Sequence, residues 1–113
     1  MEDRLPAHLE VSGLIRQVTS AGGFATVLHK GERDAGTILV ILAEKGRQYA
    51  IYERLPQPDG RRIWSVVGSE VTEKYSDYGE WLARRSAFDP DLWIVELDIA
   101  NGERFIGLTG TRD

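Results

Sequence analysis

Residues 37–43 read TILVILA, and how this run meets the rest of the chain decides the fold class. Thr37, Ile38, Val40 and Ile41 are β-branched, and after Thr37 no polar residue interrupts the run. The strand it predicts therefore has no face that can stand in water, and it must be covered on both sides. Downstream, Glu44-Lys45-Gly46 turns the chain into RQYAIYE (47–53), whose alternation leaves one wetter face. LPQPDG (55–60) is a proline-rich loop, and RIWSVV (62–67) is a further strand. Upstream lie a short strand, FATVL (24–28), and a loop, GERDAG (31–36).

Two segments carry helical periodicity instead. Ala7, Val11, Leu14, Ile15 and Val18 share one face of a helix predicted from Pro6 to Ala21, and Gly22-Gly23 supplies its stop. Val71, Tyr75, Tyr78 and Leu82 line one side of a second helix, predicted from Thr72 to Ala87, with Glu73, Asp77, Glu80 and Arg84 opposite. Gly79 inside it costs about 1 kcal/mol relative to alanine. Asp89-Pro90 ends it, because the residue before a proline is pushed out of the α region.

The last stretch, FDPDLWIVELD (88–98), begins as a turn and becomes a strand. Trp93, Val95, Leu97 and Ile99 fall on the predicted core face. Leu92, Ile94, Glu96 and Asp98 fall on the other, covered near Leu92 and wet near Asp98. Asn101-Gly102 is a strong type I′ hairpin signal and sets Leu97 opposite Ile106, Asp98 opposite Phe105 and Glu96 opposite Gly107. The order α-β-β-β-β-α-β-β predicts an α+β fold with a mostly antiparallel sheet of five to six strands and two helices. A length of 113 residues fits a single domain over 1–113, with frayed tails at 1–5 and 109–113.

Composition narrows the function classes. The chain has no cysteine, so disulfides, thiolate zinc sites and thiol catalysis are excluded, and His8 and His29 are too few for a histidine-rich metal site. A net charge of −4 argues against a nucleic-acid or anionic-membrane binder, despite the pairs Arg61-Arg62 and Arg84-Arg85. Three of the fourteen basic residues are Lys, so eleven are Arg, but their scatter fits codon usage better than an anion site. No apolar run approaches the ~18 residues of a membrane span, and no secretory leader is evident, which predicts a bacterial cytoplasmic protein. The serines include no Gly-x-Ser-x-Gly arrangement, and GERDAG lacks the Gly-Lys-Ser/Thr ending of a phosphate loop.

Arg85 is the one candidate for special chemistry on the second helix, since it lies near the apolar stripe where a guanidinium needs a partner. Asp89 is one turn away, with Asp91 and Glu96 next, so Arg85, Asp89, Asp91 and Glu96 are expected to form a structural clamp or, as the rival reading, a pocket. The enzyme alternative is a divalent-metal-dependent phosphoryl-transfer or hydrolytic activity using Asp89, Asp91, Glu96 and Asp98. Acids beside turns are common and no ligand spacing here is diagnostic. No catalytic residue, metal ligand or cofactor is therefore assigned. Trp64, Trp81 and Trp93 read as core or interface anchors, and of these Trp81 lies off its helix's apolar stripe and is the candidate partner surface.

AGGFATVLHKGERDAGTILV (21–40) together with FDPDLWIVELDIANGERFI (88–106) resembles domain-of-unknown-function family 1491, short and mainly alphaproteobacterial proteins. The resemblance covers nearly the whole chain and is most specific at Ala21–Phe24, Ala35-Gly36 and Phe88–Trp93. It implies a cytoplasmic bacterial protein and carries over no catalytic role. The expected function is a small non-enzymatic module that binds a protein partner or a small ligand and self-associates.

Overall fold

The computed structural model describes residues 5–56, 58, 62–67 and 78–107. In these the chain forms α1 (Ala7–Ser20), β1 (Phe24–His29), β2 (Ile38–Glu44), β3 (Arg47–Pro56), β4 (Arg62–Val66), α2 (Gly79–Phe88), β5 (Trp93–Asp98) and a 3-10 helix (Gly102–Ile106). The strands make one mixed sheet in the order β1-β5-β2-β3-β4. All neighbours are antiparallel except β2 and β5, which run parallel from Ile38↔Trp93 to Ala43↔Asp98.

TILVILA behaves as its composition requires. Every residue from Ile38 to Ala43 is fully buried. Ile38, Val40 and Leu42 pack with Trp93, Val95 and Leu97 beneath Ala7, Val11, Leu14 and Val18 of α1. Leu39 and Ile41 pack on the opposite face with Ile51, Leu92 and Ile94, under Tyr78 and Leu82. Each such aliphatic side chain contributes about 1.5–3 kcal/mol through burial. The alternation expected for β5 is thus correct on both faces.

α1 ends where predicted. Gly22 takes φ +95, and the N–H groups of Ala21, Gly22 and Gly23 bond back to Gln17, Thr19 and Val18 carbonyls. Gly13 sits in mid-helix at negative φ, where it costs about 1 kcal/mol relative to alanine, and a Cβ there would meet nothing within 4 Å. Between β2 and β3, Lys45 (φ 53) and Gly46 (φ 83) form a two-residue turn with both φ angles positive, the type I′ pattern.

The expected terminal hairpin is corrected. Asn101 does adopt the left-handed conformation that the Asn-Gly signal predicts, but Gly102–Ile106 then winds into the 3-10 helix instead of returning as a strand. The reason is topological: β5 has β1 on one side and β2 on the other, so it has no free edge for a partner. Gly102 is needed for a different purpose, since a Cβ there would lie 2.9 Å from Leu42 Cδ2. Ile106 is buried in the α1-side core, with Phe105 packed against it.

The predicted start of the second helix, with Val71, Glu73, Tyr75 and Asp77, lies outside the described residues, as do Arg61, most of the 55–60 loop's tip and, apart from Leu5, both expected frayed tails. Among the described residues no helix is long and apolar enough to cross a membrane.

Candidate docking surface on the second helix

The corner between α2 and β5 is held by backbone groups. Asp89 Oδ1 accepts the Asp91 N–H at 3.1 Å, and the Asp89 carbonyl accepts Leu92 N–H at 3.1 Å. The Asp91 carbonyl receives Glu32 N–H at 2.9 Å from the GERDAG loop. Gly31 and Gly36 flank that carbonyl so closely that a Cβ would fall 2.2 and 2.3 Å from its oxygen. Trp93 completes the interlock by donating Nε1–H to the Glu32 carbonyl at 2.8 Å and its own N–H to Thr37 O at 2.8 Å. The loop in turn caps α1, because Asp34 O and Arg33 O accept Ala7 N–H and His8 N–H, both at 2.9 Å. GERDAG and FDPDLW are therefore two halves of one backbone joint.

The acids of this stretch serve separate tasks. Glu96 Oε2 accepts Gln48 Nε2 at 2.9 Å, and Gln48 Oε1 accepts Tyr78 N–H at 3.1 Å, which ties β3 to the entry of α2. The Asp98 carboxylate spans the β2–β3 turn, accepting Lys45 N–H at 2.9 Å and Gly46 N–H at 2.8 Å. The Asp91 side chain is exposed. Among the described residues no three His, Cys, Asp or Glu side chains come together in a way that could hold a metal ion.

Arg85 is clamped, but not where expected. Its guanidinium makes a two-pronged contact with Glu53 of β3, Nη2 to Oε2 at 2.9 Å and Nη1 to Oε1 at 3.4 Å. Asp89, the expected partner, meets Arg85 only through its N–H on the Arg85 carbonyl. Its carboxylate is already engaged within its own turn. Glu53, opposite Leu39 in the sheet, lies on the face that α2 covers.

The guanidinium also lies over Trp81, 5.3 Å from the ring centre. Trp81, Arg84, Arg85 and Phe88 line a cleft of about 260 Å³. Phe88, one residue before the corner, is 91% exposed. Arg84 meets Glu80 only loosely, at 3.7 Å, with both side chains in solvent. The aromatic end of α2 thus combines a naked phenyl, a braced indole and a solvent-exposed cation paired along its own helix.

A second cleft went unnoticed in the sequence. On the α1 side of the sheet Glu10 pairs with Arg54 of β3, and each side chain is 18% exposed. Arg54 stacks over Trp64 of β4 at 5.2 Å. Glu10 Oε1 is buried without a hydrogen-bond partner among the described residues. Glu10 carries no local signal beyond that of a first-turn acid favoured by the helix dipole, and Arg54 falls between the strand expected at 47–53 and the loop expected at 55–60. Together with Leu5, Leu9, Gly13, Trp64, Phe105 and Ile106, they line a cleft of about 270 Å³.

The model for the family described as protein of unknown function (DUF1491) matches residues 5–107. The chain belongs to the DUF1491 family. Its fold is shared by a crystal structure of a DUF1491 protein from Caulobacter crescentus CB15, at 29% identity and TM-score 0.77, over 92% of this chain and 96% of that one. A solution structure of a protein from A. tumefaciens matches at 32% identity and TM-score 0.71, over 98% and 99% of the two chains. An NMR structure of a DUF1491 protein from C. crescentus CB15 matches at 27% identity and TM-score 0.71, over 94% and 96%. No curated protein matches this DUF1491 chain.

Proposed function

We propose that this DUF1491 protein is a non-enzymatic module of the bacterial cytoplasm that docks a protein partner on the aromatic end of α2. The observation that carries the reading is Phe88, 91% exposed beside a Trp81 already braced by the Arg85–Glu53 pair. Binding energy concentrates in aromatic and Arg anchors that are ordered before the partner arrives. Arg84 at the rim favours a docking segment that carries an apolar side chain next to a carboxylate. The metal-enzyme alternative draws no support from the acidic corner, whose carboxylates are spread over three separate backbone and side-chain tasks.

The test is to isolate partners from the native host, then to rebuild the leading complex from purified components. Phe88→Asp should weaken it at least about 30-fold, the factor that corresponds to a 2 kcal/mol anchor, and Trp81→Ala should weaken it as well. Binding that is unchanged in both variants rejects this surface.

Self-association is a second reading with its own support. β1 is an edge strand of the described sheet, and it leaves Phe24, Val27 and Leu28 exposed. A second copy aligned antiparallel along β1 would cover these residues and join two sheets. Sedimentation over a concentration series should then show a dimer that Phe24→Lys dissociates and Phe88→Asp leaves intact. A monomer at all concentrations rejects it.

A further inference from the structure

We infer that the cleft between α1, β3, β4 and the 3-10 helix is a small-molecule site for a neutral ligand with a flat apolar body and an amide-like edge. The inference is independent of the α2 docking reading. It starts from Gly13. Nothing in the backbone requires glycine there, since its φ is negative and, beyond the backbone of its own helix turns, no atom of the described residues lies within 4 Å of where a Cβ would be. The missing side chain opens the cleft, because Gly13 is one of its lining residues. A mid-helix glycine that no packing contact explains makes sense if the space above it is used.

The chemistry of the lining sets the ligand class. Leu5, Leu9, Leu14, Trp64, Phe105 and Ile106 give an apolar wall, Gln17 adds a neutral amide, and among the described residues Glu10 and Arg54 are the only charged ones in the lining. As an ion pair they sum to zero, so the cleft has no net attraction for a charged guest. What they offer is a donor beside an acceptor. Arg54 spends Nη1 on Glu10, and its other N–H groups have no partner among the described residues. Glu10 uses Oε2 in that bond, while Oε1 has no partner among the described residues. A carboxamide, lactam or nucleobase edge presents the complementary acceptor and donor on one plane. The volume of about 270 Å³ holds one ring with such an edge.

The probe is benzamide, titrated against the full chain while backbone amide resonances are followed, with benzoate and benzylamine as charged isosteres. Benzamide is expected to shift resonances around Leu9, Gly13 and Phe105 and to saturate in about the millimolar range, ordinary for a fragment of this size. The two charged probes should bind at least about tenfold more weakly. Gly13→Leu fills the cleft from the helix side, and it should abolish the shifts while raising thermal stability. Glu10→Gln removes the compensating charge and turns the acceptor into a donor, so preference should pass from benzamide to benzoate.

The inference is overturned if benzamide produces no shifts in the cleft at ten times that concentration. It is also overturned if the shifts survive Gly13→Leu, if the unmodified chain prefers benzoate, or if Glu10→Gln leaves the order of probes unchanged. Should Glu10→Gln fail to fold, the Gly13→Leu result and the probe order on the unmodified chain still decide.

Discussion

Separating Arg85 from Glu53 tests the structural account of α2 directly. The side chains are 30% and 21% exposed, so the pair belongs neither with open surface bridges nor with fully buried ones. Exposed pairs couple by about 0.2–1 kcal/mol, and breaking a buried pair costs about 3–5 kcal/mol. A two-pronged contact at this depth, discounted for the solvent that still reaches it, should couple by about 1–2 kcal/mol. Arg85→Ala should cost a further ~0.5–1 kcal/mol beyond the pair, because it also removes the cation from the Trp81 ring. A double-mutant cycle using Arg85→Ala and Glu53→Gln, read by urea melts with a common slope, isolates the coupling. A parallel cycle with Asp89→Asn should give less than about 0.3 kcal/mol, since those two side chains do not meet. If the Asp89 cycle shows the larger coupling, the clamp has been placed on the wrong element and the bracing of Trp81 falls with it.

Three further outcomes are expected. Asp98→Ala should cost about 2 kcal/mol in a denaturant melt, well above the ~0.5 kcal/mol of a plain surface site, because it frees two turn N–H groups from a carboxylate; a cost within 0.5 kcal/mol would show that water replaces it fully. Gly36→Ala should cost at least about 2 kcal/mol, since its methyl would meet the backbone oxygen of Asp91 rather than a side chain that can yield, and a melting temperature equal to the parent's would refute the interlocked joint. Burial raises the phenol pKa values of Tyr49, Tyr52 and Tyr78 above the usual value of about 10, with Glu103 adding to the shift at the first two. A raised folded-state pKa means stability that is fully present below pH ~10 and lost as pH climbs through the folded values; phenolate absorbance of the folded chain should therefore rise at higher pH than that of the chain in denaturant, and coincident titration curves would contradict it.

The parts of the fold legible in the sequence were those written in local pattern. TILVILA announces burial on both faces because no residue in it tolerates water, and the alternation of Trp93, Val95 and Leu97 against Ile94, Glu96 and Asp98 assigns β5's faces without knowledge of its neighbours. What failed were two readings that depended on which elements lie side by side, the terminal hairpin and the partner of Arg85. Asn101-Gly102 carries a true left-handed residue, yet whether a strand follows depends on whether β5 has a free edge, and β1 and β2 had taken both. Arg85 was recognised as a charge in need of a partner. Its partner is separated from it by 32 residues and came from β3, a strand whose position relative to α2 has no local signature. Glu10 and Arg54 stayed invisible for the same reason, since each looks unremarkable until α1 is laid across the sheet.

β5 is the last of the described strands and occupies the gap between β1 and β2. During synthesis β2, β3 and β4 can form their hairpins as they emerge, but β1 cannot join the sheet until residues 93–98 have left the ribosome and threaded into place. The nascent chain therefore carries Ile38, Leu39, Val40 and Ile41 on an unpaired edge through most of its translation, at a stage when long-range strand pairing is slow and exposed edges recruit one another. A chain truncated before Trp93 should be caught in that state permanently, soluble only as long as a chaperone holds it. Conversely, a synthetic peptide spanning 88–107 has a ready-made slot in such a fragment, and its insertion would turn completion of the sheet into a reaction that can be timed.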